Sequence, residues 1–189
     1  MVTGVSTKKK AKTAEVKMTA PALRLLDATS ILEGAWDEAL AYCTAKLGCG
    51  DARVAMERFS KGDPTASGYC GYSLAQRIAK CLGEMDKDVK GVYLFENEAT
   101  PDDLCFAETE RPAMIHLLIW TERRTAALNA LLAALNAALA EGYANLFGVS
   151  RPRHLLDTQI TDNAEVKERV GYGALLVSLQ HRPIEVWRR

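Results

Sequence analysis

Two places in the chain set a reactive side chain in a telling context: a histidine inside an aliphatic run, Ile115-His116-Leu117, and a cysteine in the glycine-bearing stretch Ser67-Gly-Tyr-Cys70-Gly-Tyr-Ser73. A thiol in a loop just ahead of a helix can ionise beside the positive helix end and act as a nucleophile. Exposed amides in such a loop can also hold an anion. Cys70 has neither a P-loop lysine nor Walker spacing beside it, and spacing assigns it no base, so a structural thiol is the default. An imidazole on so apolar a strand is ordinarily hydrogen-bonded scaffold, and acid-base work would require a carboxylate partner. Glu96, Asp102 and Asp103 stand in polar sequence, where solvated loop acids are the ordinary reading. Gly171-Tyr172-Gly173 is too short to cradle phosphate, and a backbone bend or close packing is expected there.

Metal chemistry has little support. Cys43, Cys49, Cys70, Cys81 and Cys105 are an odd set without a C-x-x-C pair, and with only His116, His154 and His181 as nitrogen donors a zinc site would draw on distant segments. Reduced thiols in a cytoplasm are expected, and no metal or cofactor.

The elements that must position these residues follow from periodicity. After Pro21, the residues Leu23, Leu26, Ile31, Leu32, Ala35, Leu40 and Leu47 share a helical stripe ending at Gly48, with Gly34 able to break it in two. Residues 51–59 fit an edge strand through Val54 and Met56 and a helical turn equally well. Residues 60–72, with Gly62, Pro64, Gly68 and Gly71, read as a loop; Ser73-Leu-Ala-Gln76 then reads as a capping box opening a helix through Ile78 and Leu82 to Gly83. GVYLF, residues 91–95, is a buried strand, and Thr100-Pro101-Asp102-Asp103 a helix start.

AMIHLLIW, residues 113–120, is a second buried strand, followed by the longest helix from Thr125 to about Phe147, striped by Leu128, Leu132, Leu135 and Leu139 and widened by Leu131 and Ala138. HLLDTQIT, residues 154–161, is a third strand. Asp162-Asn-Ala-Glu165 opens a helix carrying Val166, Val170, Leu176 and Leu179, and IEVW, residues 184–187, closes the pattern as a strand. This order gives an α/β or α+β mixed sheet of about four to five strands covered by helices.

The 189 residues suffice to bury a core, and Lys plus Arg equals Asp plus Glu at 24 each, so overall charge argues for no nucleic-acid or membrane partner. The balance is a cancellation: residues 1–19 hold Lys8, Lys9, Lys10, Lys12 and Lys17 against Glu15, a local +4 that leaves −4 for the rest. That basic segment lacks periodicity and is expected to be a mobile tail, with nucleic acid as the partner its lysines would serve. No apolar h-region follows the lysines, and Asn129 and Asn136 interrupt the alanine-rich stretch, so neither a signal peptide nor a transmembrane helix is expected.

VKGVYLF at 89–95, IHLLIW at 115–120, LLDTQIT at 155–161 and ALLVSLQHRPIEVW at 174–187 together resemble the nucleotidyltransferase fold of DNA polymerase beta and the minimal nucleotidyltransferases. The resemblance spans residues 73–187. It implies a core domain at 73–189, a helical N-terminal extension at 20–72, and a cleft reached by strands two and three. The family pattern places Gly-Ser after the first strand, where this chain has Glu96-Asn97, and two metal-binding acids on the second, where it has Met114 and His116. Asp157 alone matches the third carboxylate. Two Mg²⁺ ions need hard oxygens from one strand face, which a thioether and an imidazole replace poorly. The resemblance therefore implies a degenerate site. His116 and Asp157 approach one another as acid-base candidates, with Glu96, Asn97, Asp102 and Asp103 facing a small-ligand cleft. A non-catalytic binding or assembly module is expected, homodimeric through the alanine-rich helix unless the N-terminal helix covers its second stripe. An enzyme using the altered cleft, or a nucleic-acid accessory protein acting through the lysine tail, is the alternative.

Overall fold

The computed structural model describes residues 30–95, 115–180 and 182–189. The basic segment with Lys8, Lys9, Lys10 and Lys12, the stretch 96–114 with Glu96, Asn97, Asp102, Asp103, Cys105 and Met114, and His181 lie outside the described residues.

The N-terminal stripe does break at Gly34, whose φ of 75° is left-handed, and helix α1 runs Ala35–Leu47 to a second left-handed glycine, Gly48. Residues 51–59 fold as helix: α2 is Ala52–Ser60, opened by Asp51 accepting the Arg53 amide and burying Ala55 and Phe59. Helix α3, Pro64–Met85, corrects the expected loop. Asp63 caps it by accepting the Ala66 amide, and Pro64 stands in its first turn. Gly68 and Gly71 each cost a helix interior about 1 kcal/mol relative to alanine. Packing of Ala66 and Cys70 on α1 offsets that cost, since both are fully buried and the Cys70 thiol donates to the Ala39 carbonyl. Ser73 and Gln76 therefore sit inside the helix, where the Gln76 amide donates to the Tyr72 hydroxyl rather than to a cap. The expected domain boundary at 72/73 falls inside α3, so the N-terminal helices and the sheet share an element.

Strand β1 is Val89–Leu94 and β2 is Ile115–Thr121; helix α4, Ala126–Phe147, leads to β3, Leu156–Asp162. Helices α5, Asn163–Glu168, and α6, Gly173–Leu176, precede β4, Ile184–Arg188. The one long helix expected after Asp162 is thus two short ones. Arg169 and Gly171 both take positive φ and turn the chain, while Val170 and Leu179 are exposed rather than lining a stripe. The four strands form a mixed sheet in the order β3-β2-β1-β4, with β2 parallel to β3 and β1 antiparallel to both its neighbours. The protein is therefore of the α/β or α+β class.

Strand alternation decides what each sheet face carries. Ile115, Leu117, Ile119 and Val92 join Ile78, Leu82, Leu128 and Leu135 in one core with the helices. His116, Leu118 and Trp120 take the opposite face. Helix α4 is long and apolar enough by composition to cross a membrane, yet Leu128, Leu131, Leu132, Leu135 and Leu139 are all buried within this chain. At its C-terminal half α1 supplies the cover: the Trp36 indole donates to the Leu139 carbonyl at 2.9 Å.

Candidate functional site

His116 and Asp157 are direct register partners on the parallel strands β2 and β3. Side chains opposed in this way share a face, and here Nδ1 of the imidazole lies 2.9 Å from Oδ2 of the carboxylate. The pair is partly open to solvent, with side-chain exposures of 21% and 32%. With Nδ1–H donating to the carboxylate, Nε2 is the ring nitrogen left for a ligand. The Phe95 ring stands 5.8 Å from the imidazole at a tilt of 60°, and its amide donates to the His116 carbonyl.

Two supports fix the pair from below. The Ile115 amide donates to the Leu155 carbonyl at 2.7 Å, locking the start of β2 beside β3. Asn136, which interrupts the apolar run of α4, accepts the Leu155 and Leu156 amides on one oxygen at 3.0 Å each and donates its nitrogen to the Arg153 carbonyl. One helix side chain thus pins the residues leading into Asp157. A lone asparagine among alanines is the signal that sequence reasoning had, and periodicity reads it as an interruption.

The far end of the same face carries a different constellation. The Trp120 indole donates to Asn163 at 2.7 Å with the Arg188 guanidinium over its ring, and Arg124 binds Asp162 and Glu165. Between the two ends Tyr93 is buried; burial, with Glu185 adding to it, pushes its phenol upward from the ordinary range.

Cys70 is not placed as a nucleophile. It lies within α3, fully buried, with its pKa raised by burial first and by Cys43 next, the opposite of an activated thiol. Gly171 bends the backbone through a positive φ, and Gly173 is a close-packing residue: a Cβ there would run into the Glu165 backbone. Among the described residues no three His, Cys, Asp or Glu side chains gather as a metal site. Asp157 is already engaged by an imidazole, and one carboxylate so engaged is a poor seat for an ion that wants six oxygens. Compared with known proteins, the chain matches no family model, no curated protein and no solved structure.

Proposed function

We propose that the chain is a binding and assembly module with a nucleotidyltransferase-like core, holding a small ligand at the His116–Asp157 end of its strand face and transferring no nucleotidyl groups. The hydrogen bond between His116 Nδ1 and Asp157 Oδ2 carries this reading, because it commits to an imidazole the one carboxylate that the family pattern retains. The order α3, β1, β2, α4, β3 is the helix, strand, strand, helix, strand sequence of that family and supports the same reading. Such a module works in the cytoplasm with reduced thiols, as a homodimer whose contact is the exposed alanine face of α4 at Ala126, Ala127, Ala130 and Ala133.

The test has two parts. Calorimetry with Mg²⁺ and ATP gives no binding heat, and no pyrophosphate is released with protein or RNA acceptors; turnover that disappears in Asp157→Ala overturns the reading. In a thermal-shift screen of small polar compounds, those that stabilise the native protein lose their effect in His116→Ala.

The same hydrogen bond favours a second reading, an enzyme in which Asp157 orients the imidazole and Nε2 moves a proton. There Asp157→Asn would lower turnover of a bound compound far more than its affinity. A binding module shows the reverse order of effects.

A further inference from the structure

A groove of about 850 Å³ runs between the chain entering α1 and the C-terminal half of α4, away from the His116–Asp157 pair. Its floor is apolar: Ala138 and Leu146 stand half-buried over Leu32 and Trp36, which the chain itself buries. Gly142 makes room for the floor, since a Cβ there would lie 2.7 Å from the Trp36 ring, and the indole is held by its bond to Leu139. The rim is acidic. Glu33 and Asp37 form no ion pair among the described residues, and Glu141 meets Arg151 at 3.5 Å with both side chains more than half exposed, where a pair contributes little.

A half-buried apolar floor under unpaired carboxylates is complementary to one kind of occupant: a segment with apolar residues on one side and cations on the other, the helix-in-groove mode of recognition. We propose that this groove docks a cationic amphipathic helix of a partner protein, its apolar side chains on Ala138 and Leu146 and its lysines or arginines on Glu33 and Asp37. The cations relieve the repulsion of the rim. A neutral or acidic helix of the same shape would bury those carboxylates uncompensated.

The test uses the full chain and a fluorescent helical peptide of leucine and lysine on an amphipathic repeat, followed by anisotropy. Saturable binding is expected, weakened at least about tenfold in the double variant Glu33→Gln/Asp37→Asn and similarly by raised salt. Ala138→Lys, which sets a long cationic side chain into the half-buried floor, should weaken it as well. Circular dichroism and melting confirm that each variant is folded. If replacing Lys8, Lys9, Lys10 and Lys12 by glutamine tightens peptide binding, the chain's own basic segment competes for the groove, which supports the chemistry. Equal affinity for the double variant, or equal binding of a leucine–glutamate peptide, overturns the proposal.

Discussion

Asp63 satisfies two partners with one carboxylate, the Ala66 amide on Oδ1 and the Arg58 guanidinium on Oδ2 at 3.0 and 2.8 Å. The amide first and Arg58 next hold its pKa below the ordinary carboxylate value. A depressed folded pKa contributes stability that is present above the unfolded value and is lost as pH falls through the folded one. Asp63→Ala should therefore lower the melting temperature at neutral pH, and the gap between variant and native protein should close in strong acid; melts across that range check it, and a constant gap would show that the carboxylate's charge does not matter. The thiols give a second prediction at this scale. Burial raises Cys43 and Cys70 and pushes Cys81 up to about 11, whereas Cys49 is half-exposed in the turn after α1. Of these four, only Cys49 should react with a disulfide reagent in the native state, the others reacting only as fast as the protein opens. A burst at Cys70, located by peptide mapping, would contradict its burial.

The strands and α4 were legible from the sequence because GVYLF, AMIHLLIW and the leucine stripe each carry one unambiguous period over many residues. The first two turns of α3 were not. Gly68 and Gly71 are local signals for a loop, and what overrides them, Ala66 and Cys70 packed on α1, comes from a helix some twenty residues away. The meeting of His116 and Asp157 was visible only through the family resemblance, because strand register is a tertiary fact. Asn136 was invisible as a support for the same reason. Asn136→Ala should remove three hydrogen bonds at once and cost about 1–3 kcal/mol, with Asn136→Asp keeping the accepting oxygen and recovering part of it. Denaturant melts measure the loss, and the His116 imidazole resonances should shift as Asp157 moves. At the other edge of the sheet, Gly83 of α3 lies directly under the Trp187 ring of β4, so a Cβ there forces the indole out. Gly83→Ala should cost about 1–3 kcal/mol, as overpacking does, and turn the Trp187 fluorescence toward that of a solvated indole; an unchanged spectrum would refute the contact.

Assembly belongs to the scale of the whole molecule. Leu128, Leu131, Leu132, Leu135 and Leu139 of α4 are covered within one chain, and what remains outward at its N-terminal half is alanine around Asn129, which permits close helix approach but offers little area. A dimer built on that face should be weak and separate on dilution. Light scattering across a concentration series should show a mass rising from one chain to two, and replacing Ala130 by glutamate should hold it at one; a monomer at every concentration would exclude this contact. The position of β4 bears on how the molecule is made. It pairs with β1, roughly ninety residues earlier, and beside it the Arg189 guanidinium binds the Gly83 and Asp86 carbonyls at the end of α3. While the chain is being synthesised, β1 and β2 emerge together and β3 joins by the α4 crossover, so the outer edge of β1 waits for the last strand. A chain in which β4 has not docked has a three-stranded sheet with bare backbone donors along β1, the kind of edge that recruits other chains. The protein's exposure to aggregation is thus set by how soon β4 docks on β1 after it has been made.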